Sequence, residues 1–469
     1  MVFFVHGYAP HFDRRSRRDA SKKAAWRLGG FALHHAFGPA ELVAGLGKGE
    51  EFHLHGLRCS GEASAGLHIR AMLSLVEARS IIEQHVQPLE AVATSLAAAR
   101  GCVLREDIFA TEDLPAFDRS AMDGYAIDAQ DVSQKFRIVM EVQAGQAPSG
   151  KIGPGECARI FTGAPIPAGA SQVIMQEDVE RDGDWITVRE RDKKMWIRYR
   201  GEDARQGEML LAAGGRLRAG ELSLLAQLGA VQPRVGPAPR VLHFATGNEI
   251  VDPATAPGVG QIRDSNSTLI AALLPDVNAR LVAQERCGDA LDTLVEAIQK
   301  HPTESWDCLL ISGGASVGDY DFGGRALREL GFTMHFGQMN IRPGKPLIFA
   351  TRGRQIAFVI PGNPVSHFVT FQVGIRIALE RLQGMAAAWE PVKIELAADL
   401  LAKPNERKTL WPVHIGVEAG VLKAWPLSWQ SSGDLRGLLG ANGLVPIAPG
   451  ALGAKKGETV ECVLLGAVD

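Results

Sequence analysis

Three stretches decide the fold: Arg240-Val-Leu-His-Phe-Ala-Thr-Gly247, Asp307-Cys-Leu-Leu-Ile-Ser-Gly-Gly314 and Ala357-Phe-Val-Ile-Pro-Gly-Asn-Pro364. Each is an apolar run that ends in a glycine-bearing turn. After the third, Phe368, Phe371, Ile375, Leu379 and Leu382 mark one face of a helix of about 18 residues. Apolar strands that do not alternate are buried on both faces. The pattern therefore predicts a mostly parallel sheet covered by helices.

Working outward, Pro233, Gly236-Pro237 and Pro239 form a linker that marks a domain boundary. Helical texture over Glu221 to Leu228 precedes it and stops at Gly229. Between residues 108 and 200 the chain consists of short apolar runs broken by Gly and Pro, the texture of a β-domain. Within it, Gly153-Pro-Gly-Glu-Cys-Ala158 superficially matches a dinucleotide fingerprint. Its central proline and the absence of a following helical pattern make it a turn. Further back, Ser74-Leu-Val-Glu77 is a capping box, and Leu75, Ala78, Ile82 and Val86 continue at helical spacing until Pro88. From about residue 390, alternating runs such as Val392-Lys-Ile-Glu-Leu396 and Thr459-Val-Glu-Cys-Val-Leu464 indicate a small terminal β-domain.

The 469 residues are 46% hydrophobic and 22% charged, which excludes a disordered chain and a single small module. With 50 Lys and Arg against 53 acids, the net charge of −3 offers no reason to expect nucleic acid. The six cysteines, at 59, 102, 157, 287, 308 and 462, contain no CxxC pair. That suits neither a disulfide framework nor a zinc ribbon, and a reducing compartment is expected. No run of about 18 uncharged apolar residues exists, so no membrane span is expected. Residues 1–71 differ from the rest: they hold 10 Lys and Arg against 6 acids, and 7 of the 13 histidines. Their basic cluster follows the apolar start, the wrong order for a secretion signal, and the expectation is a disordered or over-extended head.

In open α/β sheets, ligands bind beyond the carboxyl ends of the strands. Here those ends carry Thr246-Gly-Asn-Glu249, Ser312 to Asp321 and Pro361-Gly-Asn-Pro364, whose glycines let backbone N–H groups approach an anion. Ile341-Arg-Pro-Gly-Lys-Pro346 sets two cations on a proline-stiffened turn and reads as an anion clamp. It lacks the upstream glycine and following hydroxyl of a P-loop. Glu249, Asp264, Asp319 and Asp321 lie near the same turns. A carboxylate about 4 Å from an anion costs roughly 4 kcal/mol at an effective dielectric near 20, a conflict that Mg²⁺ resolves. Asp264 and Asp319 read equally well as caps of helices or turns. On physical grounds alone, Asp118 to Tyr125 and Arg198 to Asp203 are surface turns.

Taken together, Asp118 to Tyr125 (DRSAMDGY), Phe161 to Pro167, Arg198 to Asp203, Thr246 to Ile250, Gly260 to Asn266, Ser312 to Asp321, Arg342 to Pro346, Pro361 to Pro364 and Ser431 to Leu435 resemble the molybdopterin molybdenumtransferase family. These are bacterial relatives of the gephyrin E domain, and the likeness runs from about residue 72 to 469. It implies a multi-domain α/β plus β fold. The layout it implies is a split helical domain (72–107 and 201–237) with an inserted β-rich domain (108–200), a three-layer α/β molybdopterin-binding domain (238–388) and a C-terminal small β-barrel (389–469).

The implied activity is a cytoplasmic, Mg²⁺-dependent transfer of molybdenum from molybdate into adenylylated molybdopterin with release of AMP. It is carried out by a homodimer whose active cleft lies between subunits. A molybdopterin adenylyltransferase and molybdoenzyme chaperones are the protein partners the resemblance suggests, with no nucleic acid and no membrane. By matching position, Glu249 and Asp321 would hold Mg²⁺, and Gly313, Gly314 and Ser316 would cradle the pterin phosphate. Arg342 and Lys345 would meet oxyanion charge, and Pro361, Gly362, Asn363 and Pro364 would shape the pocket. Asp123, Thr162, Arg198 and Asp203 would complete the cleft from the partner subunit, and Ser432 would reach in from the barrel. This chain departs from the family at Ser171, where an acidic residue is usual, at Asn248 for Asp, and at Arg342 for Lys. Arg407-Lys408 matches the family's C-terminal basic segment only loosely and receives no role. The alternatives are a non-catalytic molybdopterin-binding scaffold of the same fold and a molybdopterin adenylyltransferase.

Overall fold

A computed structural model describes residues 72–314, 322–386 and 390–466. The reading of the head, and those of Ser316, Asp319 and Asp321, fall outside the described residues. The first helix, α1 (Leu75–His85), begins where the capping box predicts. Ser74 N–H donates to the Glu77 carboxylate at 2.8 Å, and Glu77 N–H donates to Ser74 Oγ at 3.3 Å. The buried stripe of α1, made of Leu75, Ala78 and Ile82, joins the core cluster that holds Val241, Ile377 and Leu379.

Residues 99–114 and 204–235 share a separate small core around Leu104, Leu217, Leu225 and Val235. It is covered by α2 (Ala219–Gln227) and a three-stranded sheet in the order Val92–Ala93, Arg234–Gly236, Val103–Leu104. The β-rich segment builds a six-stranded sheet in the order Gln172–Met175, Gly124–Ile127, Glu156–Ile160, Lys135–Val142, Trp185–Val188, Val179–Asp182. Alternation sends Ala126, Val142 and Ile160 to one face and Tyr125, Ile127 and Phe136 to the other, so each face has its own small core. Gly153 to Ala158 is a turn leading into a strand, as its proline requires.

Beyond the linker lies the sheet that positions the site. Its strands β1 (Arg240–Thr246), β2 (Arg280–Cys287), β3 (Cys308–Ser312), β4 (Thr333–Gln338), β5 (Pro346–Arg352) and β6 (Gln355–Ile360) lie in the order β2-β1-β3-β6-β5-β4. β5 alone runs antiparallel to its neighbours. Helices α4 (Leu291–Gln299) and α5 (Phe322–Glu329) cover one face. On the other lie α1, α3 (Ser265–Leu273) and a continuous helical stretch made of α6 (Pro364–Thr370), a π-helical turn (Phe371–Ile375) and α7 (Arg376–Leu382). The sequence predicted one apolar face for this last stretch, yet every residue from Val365 to Ile375 is buried. A helix enclosed on all sides needs no polar face, and Thr370 hides its hydroxyl by donating to Ser366 O at 2.9 Å.

The terminal sheet runs Ile341–Arg342, Lys408–Glu418, Val421–Pro426, Val392–Leu396, Thr459–Leu464, Gly443–Ile447, and pairing of Lys408–Glu418 with Gly443–Ile447 closes its last five strands into a barrel. The barrel core is Leu396, Val413, Ile415, Ala424 and Cys462. Its sixth strand belongs to the α/β unit: Ile341 and Arg342 pair in parallel with Lys408 and Thr409. Among the described residues, no helix is long and apolar enough to cross a membrane, and all five cysteines are free.

Ile82 is fully buried, whereas Val76 on the same helix is 71% exposed. Ile82→Ala should lower unfolding free energy by about 2–5 kcal/mol in urea titrations, and Val76→Ala by less than about 0.5 kcal/mol. Equal small effects would show that α1 is not docked on the α/β core.

Burial holds His243 down at about 3, with His367 nearby adding to the effect; it also holds His367 and His335 down at about 4. Unfolded, these rings take a proton near pH 6.5, so between that pH and about 4 the unfolded state binds more protons. Stability should fall as pH drops through this window. His335→Phe, which removes one of the three groups, should flatten the slope of the urea midpoint against pH.

Candidate functional site

The carboxyl ends of β1, β3 and β6 open into one cleft of about 750 Å³, lined by Thr246, Glu249, Gly313, Gly314, Gly362 and Asn363 among others. Gly313 is required by contact as well as by conformation. Its φ is +96°, and a Cβ there would sit 2.6 Å from Thr246 O and 2.7 Å from Thr246 Oγ1. Thr246 Oγ1 donates to Ser312 O at 3.2 Å, which ties the first turn to the second. Asn266 Nδ2 donates to Gly362 O at 2.7 Å, which ties α3 to the third. The first turns of α3 and α6 both border the cleft, so their positive dipole ends face it.

Asp264, read from sequence as either cap or metal ligand, is buried and acts as the N-cap of α3. It accepts from Ser267 N–H at 2.9 Å and from Ser267 Oγ at 2.6 Å. Glu249 lines the cleft with its carboxylate folded over Gly247, and among the described residues no cation pairs with it. Asp289, which the sequence reading passed over, lines the same wall. Its carboxylate accepts from Asn248 N–H, and its own N–H donates to Asn248 Oδ1, both at 3.2 Å. The Asn at 248 thus links two backbone segments without adding a carboxylate beside Asp289.

A second pocket of about 400 Å³ shares Pro346 and Asn363 with the first. Arg342, Lys345 and Arg407 line it together with Ser366, Ser431 and Ser432, and among the described residues no carboxylate does. Arg407 is the residue the sequence reading left without a role. It arrives here because strand pairing sets residue 408 beside residue 341, and its Nη1 donates to Ile341 O at 3.3 Å. Ser432 is held against the start of α6 by Val365 N–H, which donates to Ser432 O at 2.9 Å. Among the described residues these three cations have no ion-pair partner, and with three hydroxyls around one space they suit a tetrahedral oxyanion.

The remaining candidates form a second constellation on the β-rich unit. Thr162 donates to Asp123 Oδ1 through its N–H at 2.8 Å and its hydroxyl at 2.7 Å, which holds the Asp123 carboxyl below the usual carboxylate range. Arg198 pairs with Asp203 at 2.6 Å and also with Glu202. The two groups meet through the ladder between Arg119–Ser120 and Ile197–Arg198, and through Arg200 N–H, which donates to Asp118 at 2.7 Å. Asp123, Thr162, Arg198 and Asp203 are thus brought near one another, and none of them lines either pocket of this chain. At Ser171, where an acid is usual in the family, the hydroxyl accepts from Ala129 N–H at 2.9 Å and donates to Asp128 at 3.2 Å, so it anchors a turn.

Comparison with known proteins agrees along nearly the whole described chain. The family models "MoeA N-terminal region (domain I and II)", "Probable molybdopterin binding domain" and "MoeA C-terminal region (domain IV)" match residues 73–229, 243–381 and 393–465. A molybdopterin molybdenumtransferase of Nostoc sp. is 33% identical over 77% of this chain and 86% of its own length. Molybdopterin molybdenumtransferase 2 of Mycobacterium tuberculosis is 30% identical over 80% of this chain and 95% of its own. The crystal structure of the molybdopterin biosynthesis protein moeA from Pyrococcus horikoshii OT3 superposes with a TM-score of 0.70 at 28% identity, covering 84% of this chain and 100% of that one. Three matching models in chain order, relatives of like length and a shared architecture lead to one conclusion: this chain belongs to the molybdopterin molybdenumtransferase family.

Proposed function

We propose that this protein inserts molybdenum from molybdate into adenylylated molybdopterin and releases AMP. The observation that carries the reading is the shared wall of the two pockets. A glycine-lined cleft suited to phosphate abuts a cationic pocket suited to a small oxyanion, and Pro346 and Asn363 border both. Two anionic substrates could therefore lie side by side.

In this reading, the backbone N–H of Gly314 and the first turn of α3 bind the pterin phosphate, on a turn that Gly313 shapes while its own N–H donates to Ile360 O at 3.0 Å. Arg342, Lys345 and Arg407 bind molybdate and stabilise charge that develops as the phosphoanhydride breaks. That work is electrostatic and needs no protein nucleophile. Pro361 to Pro364 shape the pocket, and Ser432 donates to an oxyanion oxygen.

Glu249, with Asp321 as the resemblance implies, would hold Mg²⁺. The fit rests on the donor chemistry: Glu249 is a hard oxygen donor with no cation partner among the described residues. Mg²⁺ commonly binds through one or two carboxylates plus substrate phosphate. When bound, Mg²⁺ would neutralise phosphate oxygens and polarise the bond to be broken.

Asp123, Thr162, Arg198 and Asp203 are preorganised yet border neither pocket, which supports a homodimer in which a second copy presents them to the cleft. A cytoplasmic setting completes the reading.

The test is AMP release from adenylylated molybdopterin by the purified protein. It should require both molybdate and Mg²⁺. Release that ignores molybdate, or consumption of Mg-ATP with free molybdopterin, would replace this function with a scaffold or an adenylyltransferase. Arg407→Ala should raise KM for molybdate about tenfold or more, the worth of a charged hydrogen bond. Glu249→Gln should raise the Mg²⁺ concentration needed for half-maximal activity and lower kcat by about a hundredfold. A Glu249→Gln enzyme with an unchanged Mg²⁺ requirement would remove Glu249 from the metal site.

A further inference from the structure

We infer that Trp429 is a positioning residue of the cationic pocket: its indole face orients the Arg342 guanidinium, and its ring N–H fixes the Ser431-Ser432 turn. The inference rests on the oxyanion role proposed for that pocket. Trp429 itself lines the pocket and is only 8% exposed. Its seat is built from several sides. Trp411 packs edge-on against it, with ring centroids 5.3 Å apart and planes at 84°. Gly437 makes room for it, since a Cβ there would lie 3.1 Å from Trp429 Cβ and 3.2 Å from its Cδ1.

From this seat the ring makes two polar contacts. The Arg342 guanidinium carbon stands 5.5 Å from the ring centroid, inside the range of a cation–π contact. The Arg342 backbone is pinned by its pairing with Thr409, but among the described residues its guanidinium has no carboxylate partner. The ring face is therefore what selects among its side-chain conformers. The second contact is Nε1–H, which donates to Ser431 O at 2.6 Å and anchors the turn that brings Ser431 and Ser432 to the pocket.

One indole thus sets one cation and two hydroxyl groups around the same space. Arginine suits this arrangement better than lysine, because a planar guanidinium stacks on a ring while its edge stays free to donate. Arg342, a departure from the family's usual lysine, and Trp429 therefore form a matched pair.

The test compares Trp429→Leu and Trp429→Phe in the native and Arg342→Lys backgrounds of the full chain. Readouts are KM for molybdate, KM for adenylylated molybdopterin, and molybdate binding by calorimetry. In the native background, Trp429→Leu should weaken molybdate binding roughly three- to tenfold, leaving KM for adenylylated molybdopterin unchanged. Trp429→Phe, which keeps a ring face but loses the N–H, should fall between. With Arg342→Lys, the loss caused by Trp429→Leu should shrink to about twofold, because little stacking remains to be lost.

The same fold-loss in both backgrounds, or parallel rises in both KM values, would reduce Trp429 to packing and overturn the inference. So would unchanged molybdate binding in Trp429→Leu. If Trp429→Leu does not fold, Trp429→Phe and Arg342→Lys with their double variant decide, through coupling or additivity of their losses. Failure of the proposed function would look different: the unaltered protein would itself show no molybdate binding.

Discussion

The site depends on a short parallel ladder in which Ile341 and Arg342 pair with Lys408 and Thr409. Other contacts also join the α/β unit to the barrel, among them Arg376 Nη1, which donates to Leu465 O at 2.8 Å. Through the ladder, a strand from one becomes an edge strand of the other's sheet, and cations far apart in sequence face one space. Arg407 reinforces the join by donating to Ile341 O, a contact between residues 66 positions apart. Ile341, Leu410 and Leu444 are fully buried in the same cluster, so apolar burial and backbone pairing act at one seam.

The helical stretch from Pro364 to Leu382 is the second structural condition. Its start carries Asn363 and Pro364 to the cleft, while its middle is enclosed by the sheet, α1 and the barrel seam. A rod buried on all sides cannot rotate or slide without opening voids, and packed interiors resist that. Val365 N–H reaches across to Ser432 O, which ties the barrel turn bearing the two serines to the helix start.

How much of this was legible from sequence depends on the range of the interactions. Helix α1 announced itself because a capping box is complete within four residues, Ser74 to Glu77. The parallel sheet was legible because continuous apolar strands reflect burial, which composition records directly. The turn at Gly313 was legible because glycine ending an apolar strand marks a position that needs a positive φ or a close backbone approach. The role of Arg407 was hidden, since it exists only through a register set by pairing with residue 341. Asp264 read equally well as cap and ligand until the Ser267 contacts decided it. The packing of α1 against the α/β core was likewise invisible: an amphipathic stripe tells that a face is buried, not what buries it.

The arrangement of charge explains why the two pockets are best seen as halves of one site. Glu249 and Asp289 stand on the wall of the larger cleft, which Arg263 also lines, and Arg342, Lys345 and Arg407 surround the smaller. Were these carboxylates and the cations of the smaller pocket intermixed, they would pair with one another and leave little field for a ligand. Kept apart by the uncharged wall of Pro346 and Asn363, the cations hold their full attraction for an anion. The carboxylates repel one unless a divalent ion accompanies it. Under the proposed function, a bare oxyanion would go to the smaller pocket and a metal-bearing phosphate ester to the larger. The separation that sorts the ligands also sets them next to each other, the geometry a transfer between two anions needs.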